Sequence, residues 1–189
     1  MNKKYLGIHR EGWKFFIIFI VISFFSFFIT KIIFLFFFFL SAFTLWFFRD
    51  PERYFESQDN QLLSAADGKI CFIGEDTAPI ETDINQKMNK VSIFMNVFNV
   101  HVNRSPVNGE IEKIIYKNGK FFNASLDKAS EYNERNSIII NNNNEKIIVV
   151  QIAGLIARRI LSFISENDTM VKGERIGLIR FGSRVDIYL

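Results

Sequence analysis

The sequence is short of the groups that staple small proteins and build many metal sites. Cys71 is its single cysteine. No intrachain disulfide can form, and neither a multi-cysteine zinc site nor a CxxC redox pair can be built, which fits a cytoplasmic setting. A basic face is missing as well. After Arg53 the chain carries 16 Lys and Arg against 17 Asp and Glu, which argues against a nucleic-acid partner. Charge is scarce in another place: from Trp13 to Phe48 only Lys14 and Lys31 interrupt an apolar, Phe-rich run.

That run is longer than the apolar core of a signal peptide and is expected to stay in the mature protein. As one helix it would measure about 54 Å, well beyond a hydrocarbon layer of about 30 Å. A break near Thr30 and Lys31 is therefore expected, giving two segments, about 13–29 and 32–48, each about 25 Å long and marginal for a full span. A tight or shallow hairpin follows. Lys3, Lys4, Arg10 and Lys14 precede it and Arg49 and Arg53 follow it, so the positive-inside tendency puts both ends in the cytoplasm, and Lys31 snorkels at the far side. One long tilted helix is the alternative, since no Pro or Gly marks the turn.

Beyond Arg53 the pattern changes to short apolar runs divided by turn residues, the mark of strands. The clearest are Lys69 to Ile73, Val91 to Met95, Glu110 to Tyr116, Ser137 to Ile140 and Lys146 to Gln151. Asn108-Gly109, Asn118-Gly119 and the run Asn141 to Asn144 are turn signals, the last joining two β-branched runs as a hairpin. Ile156, Ile160 and Phe163 could share a helical face, while the β-branched content of 152–164 permits a strand; of the two, a short helix is expected. The stretch from Arg175 to Leu189 reads as paired strand interrupted by Gly177 and Gly182. The fold class is thus mainly β, a compact sandwich- or barrel-like domain over 54–189 with one short helix, preceded by a hydrophobic helical hairpin in 1–53.

Four groups could carry chemistry: Ala65-Ala66-Asp67-Gly68, Phe98-Asn99-Val100-His101, Asn133-Glu134-Arg135-Asn136 and Phe181-Gly182-Ser183-Arg184. Each alone has an ordinary reading. Asp-Gly is usually a turn, a lone His beside a strand is usually a structural hydrogen-bonder, and Gly-Ser is usually a turn or bulge. Asp67, His101 and Ser183 together supply the residue types of a nucleophilic triad. Ser183, however, lies in no Gly-x-Ser-x-Gly elbow, and the alternating strands and helices of an α/β-hydrolase are missing.

Taken in order, these groups resemble the phosphatidylserine decarboxylase family in its short bacterial form. The resemblance runs from His9-Arg10-Glu11-Gly12 and Phe47-Phe48-Arg49-Asp50-Pro51-Glu52-Arg53 through Ala65-Ala66-Asp67-Gly68-Lys69-Ile70 and Asn99 to Gly109. It continues in Asn133-Glu134-Arg135-Asn136 and Gln151 to Arg159, and is most specific from Gly173 to Asp186.

It implies that Ser183 becomes a pyruvoyl group. The Ser183 hydroxyl attacks the Gly182 carbonyl, the resulting ester loses the Ser183 α-proton and expels the Gly182 carboxylate, and the dehydroalanine hydrolyses to ammonia and pyruvoyl. A β piece then ends at Gly182 and an α piece begins at residue 183, the two staying associated. The pyruvoyl carbonyl would form a Schiff base with phosphatidylserine and accept the electrons released with carbon dioxide, so no metal or further cofactor is required.

Asp67 matches the family's self-cleavage Asp. His101 fills the first of two histidine places three residues apart, and Arg104 stands in the second; His101 is the expected acid or base. Arg104, Arg135 and Arg158 would hold the lipid's phosphate or carboxylate, or else be ion-paired structural arginines. Family members generally continue past the cleavage serine for a further strand or more, whereas only Arg184 to Leu189 follow here, so the missing partner is expected to leave a strand edge that something must cover.

The implied setting is the inner membrane, with membrane lipids as partners, the catalytic domain facing the cytoplasm and a homo-oligomer left open. Two rivals remain: a decarboxylase of another serine-headed lipid, and a membrane-anchored β module that binds lipid without reacting.

Overall fold

The computed structural model describes residues 4–56, 58, 60–119, 132–154, 159–181 and 183–189. The chain divides into two compact units, Met1–Arg53 and Tyr54–Leu189.

In the first unit a short hairpin of β1 (Lys4–Tyr5) and β2 (Ile8–His9) turns through Leu6 and Gly7, both at positive φ. It leads into α1 (Arg10–Ser26), whose N-cap His9 accepts the Glu11 amide on Nδ1 at 3.3 Å. The helix α2 (Lys31–Phe47) starts at Thr30, whose hydroxyl accepts the Ile33 amide at 3.2 Å. An N-cap therefore breaks the apolar run without Pro or Gly, and the single long helix is not formed. Small residues and rings share the pairing: Gly12, Ser23, Ser26, Ser41 and Thr44 are buried together with Phe47 and Phe48, Phe19 stacks on Phe37 at 6.3 Å, and Ser23 donates to the Phe34 carbonyl across the pair at 3.0 Å. The chain closes on itself below the helices, where the His9 amide donates to Phe48 O at 2.9 Å and the Asp50 amide to Gly7 O at 2.7 Å. Among the described residues no helix is long and apolar enough to cross a membrane.

The second unit is built from β3 (Lys69–Thr77), β4 (Lys87–Met95), β5 (Val102–Arg104), β6 (Gly109–Lys117), β7 (Arg135–Asn142), β8 (Glu145–Ala153), β9 (Ile160–Ser162), β10 (Thr169–Met170), β11 (Arg175–Ile179) and β12 (Ser183–Tyr188), with one 3-10 turn at Ile80–Thr82. Seven strands form an antiparallel sheet in the order β10-β6-β7-β8-β12-β4-β3, and three form a second in the order β5-β11-β9. The β7–β8 hairpin turns through Asn143 and Asn144, both at positive φ, the requirement of a two-residue turn that Asn meets.

One apolar cluster joins Ile138, Ile140, Val149, Val185 and Ile187 of the large sheet to Ile160, Ile176 and Ile179 of the small one, giving a sandwich-like core rather than a closed barrel. The alternate residues Ile148, Val150, Ile152 and Tyr188 form a smaller cluster on the outer face with Ala78, Met88 and Ile84. Both faces of the central strands are thus buried.

Two expectations are corrected. The helix within 152–164 is not formed at either end: Ile152 and Ala153 finish β8, and Ile160–Ser162 pairs with Gly177–Ile179 in the small sheet. Ile156 lies outside the described residues, so the apparent helical spacing reduces to two residues that a remote strand recruits. The strand edge expected from the chain end also does not fall on β12, which is bonded to β8 on one side and β4 on the other along its whole length; the outer strands of the large sheet are β10 and β3. The run from Arg175 is strand, but β11 and β12 belong to different sheets instead of pairing with each other.

Candidate active site

Ser183 is the first residue of β12, the strand between β4 and β8. It stands opposite Met95 on one side and Ala153 on the other, facing the core between the sheets. The side chain is fully buried, and its Oγ has no hydrogen-bond partner among the described residues. An unbonded buried hydroxyl costs about 1–3 kcal/mol, and no hydrogen bond from the described residues holds the oxygen back from a neighbouring electrophile. Three residues, 180–182, carry the chain from the end of β11 in one sheet to Ser183 in the other. Within that crossing Phe181 has φ 55, a left-handed conformation that costs a bulky residue on the order of 1 kcal/mol. Gly182 lies outside the described residues.

Asp67 is half-buried and precedes β3 by two residues. The adjoining Gly68 packs so closely on β4 that an added Cβ would stand 2.3 Å from Phe94 O. Since β3, β4 and β12 are successive neighbours and Lys69, Phe94 and Arg184 share a register row, Gly68 lies about 10 Å, or two strand spacings, from Ser183 along the sheet.

The 96–101 loop leaves the end of β4 at Met95 and carries His101, which is fully buried. The His101 carbonyl accepts the Ile179 amide at 3.2 Å, fixing it beside the strand that leads to Ser183. Its Nδ1 lies 3.0 Å from Asn99 O. A carbonyl can only accept, so Nδ1 carries the proton and the neutral ring has its lone pair on Nε2.

The Asn133-Glu134 pair reaches the same end of the sheet. Asn133 Nδ2 donates to Ala153 O at 2.7 Å, and the Ala153 amide donates to Glu134 O at 2.9 Å, so both backbone groups of Ser183's strand neighbour are engaged from this motif. Tyr116 donates its hydroxyl to Glu134 Oε1; burial, reinforced by this carboxylate, pushes the phenol pKa well above its ordinary value.

A row of buried amides, given no individual role from the sequence, lies on the same inner face. Asn136 Nδ2 donates to Gln151 Oε1 at 3.0 Å and Gln151 Nε2 to Asn103 Oδ1 at 2.8 Å, while Asn103 Nδ2 approaches Met95 Sδ at 3.7 Å. Gly177 makes room for it, since a Cβ there would stand 2.6 Å from Gln151 Nε2. The signal was present: Gln151 is the one polar residue in the otherwise apolar run Ile147 to Ala153.

The arginines fall elsewhere. Arg104 Nη1 donates to Gly173 O at 2.8 Å, tying β5 to the turn before β11. Arg135 points to the outer face of the sheet and grips Glu81 through both carboxylate oxygens, at 2.6 and 2.5 Å, with Ser137 adding a third bond at 2.8 Å. Burial works against the Glu81 charge, but the bonds from Arg135 and Ser137 hold its pKa below the ordinary 4.5. Arg158 lies outside the described residues. Asp67, His101 and Ser183 are therefore gathered at one end of the large sheet; Arg135 stands at the same end but on the opposite face, bonded to Glu81, and the Arg104 guanidinium is bonded to Gly173 O. No cluster of three or more His, Cys, Asp or Glu side chains able to hold a metal occurs among the described residues.

Comparison with known proteins gives two findings. A family model described as phosphatidylserine decarboxylase matches residues 40–189. A phosphatidylserine decarboxylase proenzyme of Azorhizobium caulinodans is 50% identical over 190 residues, an alignment spanning 100% of this chain and 82% of the relative.

Proposed function

Because the chain belongs to the phosphatidylserine decarboxylase family, we propose that it converts phosphatidylserine to phosphatidylethanolamine and carbon dioxide after cutting its own backbone between Gly182 and Ser183. The observation that carries this reading is the buried Ser183 hydroxyl, unbonded among the described residues and reached through a left-handed Phe181. The name of the Azorhizobium relative, a proenzyme, agrees with a chain that must be processed.

In the first stage the Ser183 Oγ attacks the Gly182 carbonyl and the amide becomes an ester. Fixing the oxygen at the start of a central strand replaces much of the entropy that an encounter would need. A base then removes the Ser183 α-proton, the ester oxygen departs with the Gly182 carboxylate, and hydrolysis releases ammonia to leave a pyruvoyl group on the new N-terminus. A buried site bordered by strand backbone suits this group, because it is made from residue 183 where it stands and needs no binding pocket of its own. When in place it supplies an electrophilic carbonyl that captures the substrate amine and takes up the electron pair left by carbon dioxide.

The chain's own residues do the rest. His101, with its lone pair on Nε2 when neutral, serves as the acid or base, and Asp67 assists self-cleavage. The amide row of Asn103, Gln151 and Asn136 keeps the inner face polar near the reacting end. Arg104 and Arg135 are assigned structural work instead of substrate contact. Unit 1–53 is proposed as the anchor, a shallow hairpin that enters the cytoplasmic leaflet of the inner membrane and keeps the domain of 54–189 at headgroup level.

Intact mass of the purified chain and its Ser183→Ala variant tests the reading. The wild-type chain is expected as two pieces divided after Gly182, the variant as one, and borohydride should add to the smaller wild-type piece and abolish decarboxylation. A fully active wild-type chain that remains whole would falsify the proposal.

A further inference from the structure

The central strand β12 has two unlike faces. Ser183, Val185 and Ile187 face the apolar interior, whereas Arg184, Asp186 and Tyr188 face outward and are nonetheless buried. On that outer face Arg184 Nε donates to Asp186 Oδ1 at 2.6 Å, and its Nη2 crosses to β4 to donate to Ser92 Oγ at 2.8 Å. Lys90 of β4 lies 3.4 Å from Asp186 Oδ2, donates to Asp76 of β3 at 2.7 Å, and sits 5.1 Å from the centre of the Tyr188 ring. Burial opposes the Lys90 charge, but Asp186 and Asp76 outweigh it and hold the pKa above the ordinary 10.5.

Two cations and two carboxylates are thus shared among three strands. Every link from β12 to β4 within the cluster joins a residue after the proposed cut to one before it.

This matters because the cut, on the reading above, removes the backbone link between residue 183 and the chain that precedes it. The piece beginning there is then kept by strand pairing and side chains alone. Strand pairing by itself tolerates slippage: a shift of one residue moves residue 183 by about 3.4 Å and a shift of two by about 6.8 Å. A one-residue slip would also drive Arg184 and Asp186 into the apolar core and put Val185 and Ile187 among charges. A two-residue slip keeps the faces but parts Asp186 from Lys90 and Arg184 from Ser92. Buried ionic groups are poor sources of net stability and good specifiers of register.

We propose that Arg184, Asp186, Lys90, Ser92 and Asp76 form a clamp that retains the cleaved C-terminal piece and fixes its register, so that the reactive residue 183 stays opposite Met95 and Ala153. They act as positioning residues and do not touch the lipid. The inference rests on self-cleavage at Gly182-Ser183 and adds to it the means by which the product of that cleavage remains an enzyme.

The test uses the full chain in detergent. Intact mass first records splitting, then retention of the small piece is followed by repeated desalting while decarboxylation is assayed on the same samples. Asp186→Asn is expected to split like wild type, because the strand is still tethered when cleavage occurs. It should then lose its piece, and activity with it, about tenfold faster. Ser92→Ala, a milder change, should do the same to a smaller degree, and serves if Asp186→Asn fails to fold.

A second measurement separates a clamp from a general loss of stability. In the uncleavable Ser183→Ala background Asp186→Asn should lower the melting temperature less than it does in the split protein. Equal shifts in the two backgrounds, or a split variant that keeps its piece as long as wild type, overturn the clamp. A wild-type chain that never splits overturns the cleavage reading instead.

Discussion

The two units use the same apolar alphabet in opposite ways. In 1–53 the helix contact buries Gly12, Ser23, Ser26, Ser41 and Thr44 beside Phe47 and Phe48, while Phe24, Phe25, Phe28, Phe36 and Phe39 are exposed. In 54–189 the order is the usual one, with Ile, Val and Met inside and, among the described residues, no buried Phe at all. Water would not tolerate the first arrangement, since large rings outside and hydroxyls inside forfeit hydrophobic burial. Lipid would, because small residues let helix backbones approach while the rings meet acyl chains. The β-branched core of the second unit suits a pleated sheet buried on both faces.

This contrast yields predictions of graded size. The largest effect belongs to the domain core: Ile138→Ala removes a fully buried side chain from the space between the sheets and should cost about 3 kcal/mol in denaturant unfolding. Next comes overpacking between the helices. An added Cβ at Gly12 would stand 2.5 Å from Phe48 Cβ, so Gly12→Ala should loosen the helix pair by about 1–3 kcal/mol. Faster proteolysis within 1–53, with unchanged melting of the β domain, would be the sign; unchanged proteolysis would count against close packing of Gly12 on Phe48.

A third, smaller effect concerns charge on the outer face of the sheet. The carboxylate of Glu81 has a folded pKa below its ordinary 4.5. Its contribution is therefore complete above the unfolded value and is lost as pH falls through the folded one. Melting temperature measured from pH 7 down to pH 3 (about the carboxylate range) should fall for wild type and be flatter for Glu81→Gln, which begins lower. Parallel curves would show that the Arg135 pair does not set the acid limb.

Much of the β domain was legible because its signals are local. β-branched runs, Asn-rich turns and charged termini marked the positions of β3, β4, β6, β7 and β8, and Thr30 could be read as the break in the apolar run. What failed was nonlocal. Ile160 is strand because Ile179 lies opposite it, and no window around residue 160 contains that fact.

Ser183, Asp67 and His101 came from the order of motifs, not from periodicity, and the register brings them to one end of the sheet. The alternation Arg184-Val185-Asp186-Ile187-Tyr188 reads in sequence as a half-exposed edge, whereas the strand is central and its charged face is covered. That Arg135 serves Glu81 could not be seen either, since the partners are 54 residues apart.

The smallest effect on folding should come from the residue that looks most costly by hydrophobicity alone. Phe28 is 73% exposed, in the turn between the two helices. Replacing it by Ser removes little packing, so detergent-solubilised Phe28→Ser should melt with wild type, within about 0.5 kcal/mol. If the exposed rings meet lipid, the same change forfeits burial in acyl chains, about 1.5–3 kcal/mol for a fully buried ring. Partition of the Ser183→Ala chain between vesicles and buffer should then drop about tenfold or more when Phe28→Ser is added, at the 1.4 kcal/mol that corresponds to each factor of ten. Ile138→Ala should leave that partition unaltered while it remains folded. A Phe28→Ser chain that binds vesicles like its parent would place the turn outside the lipid, and the inside-out composition of 1–53 would then need a protein neighbour to cover it.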